Sequence, residues 1–222
     1  MHIIWQGQFC FQIVTALRKE KEPISIVVDP VDRGTGLKPS VLKPDILLVT
    51  HDYFDGDNKR WDKIKGEPFL ITIPGEYELK DVFLQGILAD GKRKGENIIF
   101  VIEAEGIRVC HLGGLNQSEL TPDQLDAMGV VDILFVPVGG VNTIDGSQAL
   151  KIVNQIEPKI VIPMYFQIPH FTLSQKSGGR TKLDGLDKFL KAIGRKSIES
   201  QPKLLIKKKD LPQETKIIVL EP

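Results

Sequence analysis

The chain reads as an α/β protein of packed sheets with helices outside them, and three observations carry that reading. Short Val- and Ile-rich runs bounded by Gly, Pro or Asp recur from start to finish, the pattern of strands. Several of these runs are apolar throughout, as strands buried between layers are. Helical patterns enter only in the second half and alternate there with strands, which places helices on the outside of the sheets.

Strands are expected over 2–5, 24–28, 46–49, 69–73, 82–88, 98–103, 107–111, 133–136, 160–162, 204–207 and 217–220. Thr121-Pro122-Asp123-Gln124 opens a first helix with a cap, a proline at the first helical position and a reciprocal Gln. Asp145-Gly146-Ser147-Gln148 opens a second, with Ala149, Leu150, Val153 and Ile156 on one side. Asp184 is expected to cap a third, whose Leu186, Phe189, Leu190 and Ile193 share a face, with Gly194 past its end. The stretch 167–182 reads as a long loop too short to separate domains, so residues 1–222 form one domain.

Composition narrows the function classes. Lys plus Arg and Asp plus Glu number 29 each, so the chain lacks the basic field with which nucleic-acid binders displace counterions. Lys207-Lys208-Lys209 reads as a solvated turn. No apolar run approaches the roughly 18 residues of a membrane span, and no signal segment precedes the first strand. Cys10 and Cys110 fall in apolar strand-like segments, which reads as buried thiols and a cytoplasmic protein, with a single disulfide as the alternative.

The chemistry concentrates in Thr50-His51-Asp52-Tyr53-Phe54-Asp55-Gly56, directly after a strand-like run. Calcium does not suit it: from either Asp52 or Asp55 the glycine and late glutamate of a calcium loop are out of place. Cys110 beside His111 does not make a thiol nucleophile with its base, because adjacent strand residues point to opposite faces. There is no Gly-X-Ser-X-Gly elbow and no phosphate-cradling Gly-Lys-Ser/Thr loop.

The loop resembles the His-X-His-X-Asp-His motif of the metallo-β-lactamase superfamily. Other segments resemble its small "zinc-dependent hydrolase of the β-lactamase fold" branch: Gly7-Gln8-Phe9-Cys10-Phe11 against Gly-His-Ser-Cys-Phe, Asp29-Pro30, and Pro74-Gly75-Glu76-Tyr77-Glu78. Cys110-His111-Leu112-Gly113-Gly114-Leu115 parallels Cys-His-Leu-Gly-Asp-Leu, Val136-Pro137-Val138-Gly139-Gly140 recurs, and Ile162-Pro163-Met164-Tyr165-Phe166 parallels Ile-Pro-Met-His-Tyr. The matches run in order over nearly the whole chain. The resemblance implies a four-layer αββα sandwich with metals at one edge.

It also implies a depleted ligand set. His51 and Asp55 stand at two family ligand positions, whereas Tyr53, Gly56, Tyr165 and Gly114 occupy others and the segment 85–97 supplies no histidine. A hydrolytic centre needs about three protein ligands per metal, so His51 and Asp55 alone form at most a weak remnant metal site. In the family pattern His111 is a hydrogen-bonding residue, and His2 and His170 match no ligand position.

The expected cleft therefore comprises Gln8, His51, Asp52, Tyr53, Asp55, His111, Gly114 and Tyr165. Its phenols, amide, imidazole and carboxylate suit either a small polar ligand or simple filling of a vacated site. The expectation is a binding or structural protein without a cofactor, acting on a small polar ligand or a protein partner, with homo-oligomers as a further option. The alternative is a hydrolase, with zinc at His51 and Asp55 or metal-free. In it Asp55 or His51 acts as base and Tyr53 or Tyr165 as proton donor or oxyanion stabiliser.

Overall fold

Phe11 and Phe135 stack between two sheets, their ring centroids 4.0 Å apart and their planes within 5°. The computed structural model describes residues 1–15, 22–31, 35–51, 63–91, 96–174 and 180–222. The chain runs β1 (His2–Gly7), β2 (Cys10–Thr15), β3 (Ile24–Val28), β4 (Ile46–Leu48), β5 (Phe69–Ile71), β6 (Gly75–Leu79), β7 (Val82–Ala89), β8 (Asn97–Ala104) and β9 (Ile107–His111). There follow α1 (Pro122–Met128), β10 (Ile133–Pro137), α2 (Gly146–Ile156), β11 (Ile160–Met164), β12 (Leu173–Ser174) and β13 (Arg180–Thr181). Last come α3 (Leu186–Ala192), β14 (Ser200–Gln201), β15 (Leu204–Leu205), β16 (Lys216–Ile217) and β17 (Val219–Leu220).

The first sheet has the order β15-β1-β2-β3-β4-β5 and the second β16-β11-β10-β9-β8-β7-β6. Both are mixed. The pairings β3–β4–β5 and β9–β10–β11 are parallel, and β1–β2–β3 and β6–β7–β8–β9 are antiparallel. Alternation along each strand sends Ile3, Trp5, Phe11, Ile26, Val28, Ile46 and Leu48 into the common core with Phe100, Val109 and Phe135 of the second sheet. On the outer face of the first sheet, Cys10, Val27 and Leu47 form a smaller cluster with Val31 and Leu42. This is the sandwich of mixed α and β elements that the resemblance implies.

Thr121 and Gln124 form the reciprocal cap of α1, and Asp145 with Gln148 that of α2. The buried face of α2 comprises Gly146, Ala149, Ile152 and Val153, with Leu150 only half-buried. A Cβ on Gly146 would stand 2.8 Å from the Phe189 Cα, so only glycine lets α2 approach α3 this closely. Asp184 does not cap α3: Gly185 is the N-cap residue, without a side-chain bond. The Asp184 carboxylate instead binds Lys188 at 2.5 Å. The stretch 167–182 is not a plain loop either, since β12 and β13 pair within it and Ile168 and Phe171 are buried.

At the end of the sandwich opposite the β9–β10 carboxyl ends, Asp132 precedes β10 and is 2% exposed. It accepts from the Arg108 amide at 2.9 Å and pairs with Lys208 at 2.8 Å and Lys159 at 3.2 Å. Lys208 is therefore an anchoring residue at the start of a 3₁₀ turn, not part of a merely solvated one. Burial alone would raise the Asp132 carboxyl, but the Lys208, Arg108-amide and Lys159 bonds together hold it below the usual carboxylate range.

Removing the carboxylate leaves the Arg108 amide without its acceptor, so Asp132→Ala should cost about 1–3 kcal/mol in urea unfolding. Lys208→Ala, at a half-exposed partner, should cost at most about 1 kcal/mol. Asp132's contribution is present above the ordinary carboxylate pKa and is lost as pH falls through its lower folded value.

Candidate functional site at the strand ends

The carboxyl ends of β4, β9, β10 and β11, the β1–β2 turn and the start of β8 meet at one edge of the sandwich, where open α/β sheets place their ligands. At the end of β3, Asp29 accepts the Thr50 amide at 2.8 Å and also the Thr50 hydroxyl. That hydroxyl has one proton, which goes to Asp29, so it accepts from His51 Nδ1. A neutral His51 ring then carries its lone pair on Nε2. Asp29 Oδ2 lies 3.9 Å from His51 Nδ1.

His111, at the end of β9, is fully buried. Its Nε2 donates to the Phe9 carbonyl at 2.8 Å and its Nδ1 accepts from the Gly113 amide at 3.0 Å. Both ring nitrogens are engaged, so His111 is not placed as a metal ligand. Burial pushes its pKa down to about 4, against the opposing bond to Phe9. Asn97, also fully buried, donates to the Leu112 carbonyl at 2.9 Å and accepts from the Gly114 amide at 2.8 Å. His111 and Asn97 together hold the Gly113–Gly114 turn.

Gly114 leaves no empty space. A Cβ there would lie 3.2–3.3 Å from three atoms of the His51 ring, so the imidazole occupies the room a side chain at Gly114 would need. Phe9 stacks on Tyr165 with centroids 4.0 Å apart at 19°, and meets His51 edge-on at 5.1 Å and 85°. Tyr165 takes a left-handed φ of 52° and donates its amide to the Gln8 carbonyl at 3.2 Å. Its ring is buried, which pushes the phenol pKa upward and keeps it protonated.

Of the residues expected in the cleft, the structure gathers Gln8, His51, His111, Gly114 and Tyr165. Asp52, Tyr53, Asp55 and Gly56 lie outside the described residues. Phe9, Asn97 and the Asp29–Thr50 pair are further members that sequence reasoning did not single out; the one available sign was Phe9 standing where the family pattern has serine. Beside the edge, a cavity of about 680 Å³ is lined by Trp5, Leu37, Lys38, Phe166, His170 and Glu221, among others. It does not include His51, Gly114 or Tyr165.

Among the described residues no three His, Cys, Asp or Glu side chains converge to hold a metal. Those present at this edge do not fit a two-metal centre. Cys110 contacts Met128 of α1 on the face away from His111, and both thiols are free and buried. Burial pushes Cys10 up to about 12, so neither group is a ready nucleophile.

Comparison with known proteins gives a consistent picture. The profile of the β-lactamase superfamily domain matches residues 2–165. A protein of Thermoplasma acidophilum named as a metal-dependent hydrolase is 27% identical over 192 residues, covering 75% of this chain and 83% of its own. A crystal structure from Thermotoga maritima, described as a candidate Zn-dependent hydrolase of the metallo-β-lactamase superfamily, is 32% identical. It superposes with a TM-score of 0.74 over 99% of this chain and 97% of that one. A metallo hydrolase of Ignicoccus hospitalis, 18% identical, shares the fold with a TM-score of 0.61 over 93% and 99% of the two chains.

His111 must charge if it is protonated. Its folded pKa of about 4 lies below the ordinary histidine value, so its contribution is present above about pH 6.5 and lost as pH falls through 4. Wild-type stability should fall across that window, by up to about 3 kcal/mol, and His111→Phe should flatten the dependence at the cost of lower stability at neutral pH. Gly114→Asp, which supplies the carboxylate of the family pattern, should displace the His51 ring and lower stability by about 1–3 kcal/mol, measured by thermal unfolding.

Proposed function

The chain belongs to the metallo-β-lactamase superfamily, and from that premise we propose that side chains fill its metal cradle and that it acts by binding rather than by two-metal hydrolysis. The observation that carries this reading is the packing of Phe9 against both His51 and Tyr165, with the His51 ring seated over Gly114. A hydrolytic centre needs converging ligands and an open position for water. Aromatic rings and a glycine supply neither.

A small polar ligand or a protein partner is the proposed occupant of this edge. The adjoining cavity, with Lys38, His170, Ser200 and Glu221 over an apolar floor, supports the former. A cytoplasmic setting is part of the same reading and is supported by the buried free thiols. No described helix is long and apolar enough to cross a membrane.

The names of the relatives favour a second reading, a metal-dependent hydrolase with a reduced site at His51 and Asp55. The tautomer that Thr50 imposes on His51 supports it, because Nε2 is then the nitrogen able to ligate. In that scheme His51 or Asp55 serves as base, and the Tyr165 phenol, kept protonated by burial, as proton donor. The comparisons weigh toward this second reading and the packing toward the first.

Zinc titration by calorimetry on metal-stripped protein, with Asp55→Ala as control, separates them. The binding-protein reading expects no heat of binding up to submillimolar zinc. Tight binding that Asp55→Ala abolishes would overturn it, and hydrolase activity should then vanish in both His51→Ala and Asp55→Ala with the fold intact.

A further inference from the structure

The cavity of about 680 Å³ beside the strand-end edge has a basic wall, an acidic wall and an apolar floor. Its volume falls within the roughly 300–1,000 Å³ of small-molecule sites. Trp5, Phe166, Ile168, Val219 and Leu220 make the floor, and all five are buried. Trp5 and Phe166 lie with ring centroids 5.0 Å apart at 37°. The indole N–H donates to the Gln8 carbonyl at 2.9 Å, so the indole offers this space only its carbon surface.

Close backbone approach sets the basic wall. The Thr172 amide donates to the Thr35 carbonyl at 2.9 Å, and a Cβ on Gly36 would stand 2.1 Å from the His170 carbonyl oxygen. Only glycine lets these two segments touch, and their contact sets Lys38 and His170 on one cavity. Both residues are exposed, and among the described residues neither side chain has a hydrogen bond or ion pair. On the other wall, the Ser200 hydroxyl donates to Glu221 at 2.5 Å and holds that carboxylate in place.

We propose that this cavity binds a small monocarboxylate with an aromatic body, its carboxylate at Lys38 and His170 and its ring on Trp5 and Phe166. This ligand class rests on the small-ligand reading given above and narrows it. The unengaged ammonium and imidazole call for an anionic acceptor, and the floor for a hydrophobic body. A phosphate head suits the cavity less. Among the described residues that line it there is no arginine and no helix N-terminus, the groups that commonly hold phosphate. Glu221 also opposes a second negative charge.

Four probes that share a benzyl group test this: phenylacetate, phenylacetamide, phenethylamine and benzylphosphonate, each titrated into the metal-free full chain and followed by heteronuclear NMR. Phenylacetate should shift the Trp5 indole resonance and the Ile168 and Leu220 amides. It should bind about tenfold tighter than the amide, and the amine should not bind. Lys38→Met should reduce the affinity for phenylacetate to that for the amide, with an unchanged unfolding midpoint.

A probe of this size binds in the millimolar range at ordinary ligand efficiency, so the absence of these shifts at tens of millimolar phenylacetate overturns the proposal. Equal affinities for acid and amide, tighter binding of the amine or the phosphonate, or an affinity that Lys38→Met leaves unchanged do the same. Should Lys38→Met fail to fold, the order among the four probes decides alone. Zinc titration reports on the cradle and these shifts on the cavity. Tight zinc binding beside normal phenylacetate binding overturns the binding-protein reading alone, and absence of both overturns the ligand class alone.

Discussion

The strand-end edge hangs on the His111 imidazole, which ties the two sheets together at the point where the chain gathers its polar groups. A neutral imidazole both donates and accepts, and here each nitrogen serves a different sheet: the Phe9 carbonyl on the β1–β2 turn and the Gly113 amide beyond β9. Phe11 and Phe135 meet the ring edge-on at 5.8 Å and 5.7 Å. That apolar collar keeps water out and the ring uncharged. Because Phe9 and Gly113 are fixed by one side chain, the turn bearing Gln8 and Phe9 and the turn bearing Gly114 hold a constant separation, and His51 and Tyr165 close the space between them.

The side chains at this edge accommodate one another. Carboxylates and imidazoles converging on a space without metal would repel or remain desolvated, at a cost of several kcal/mol. Gly114 admits the His51 ring, and Phe9 stacks on Tyr165 beside it. The Asp29–Thr50 pair still orients His51 through Nδ1, which is how ligating histidines are held. The same bonds also terminate β3 and β4 and hold the sheet end in place.

Most of the sandwich was legible in the sequence because buried strands announce themselves as β-branched runs. What was not legible depended on distance along the chain or on exposure. β6 is an exposed edge strand whose Gly75-Glu76-Tyr77-Glu78-Leu79 carries no apolar run, and β2 interrupts its apolar positions with the half-buried Gln12 and ends on a buried polar residue, Thr15. Asp184 has the composition of a cap, but Lys188 one turn later takes its carboxylate. Lys208 looks solvated until Asp132, 76 positions away, is folded beneath it. The role of His111 rests on a carbonyl 102 positions away. At the site the departures from the family pattern could be read residue by residue, whereas the packing of the rings could not, because stacking between positions 9 and 165 is a property of the fold.

The scaffold of this chain is constrained separately from the side chains at its edge. Turn glycines close the sandwich by close approach of backbone, such as Gly139 against the Tyr165 backbone. Those positions are constrained by close approach and by buried hydrogen bonds, which act whether or not a metal is present. The core itself is made of Phe11, Phe100, Phe135 and the aliphatic strands, with Tyr165 at its edge. Similarity over most of the chain follows the scaffold, and activity follows the few side chains at its edge.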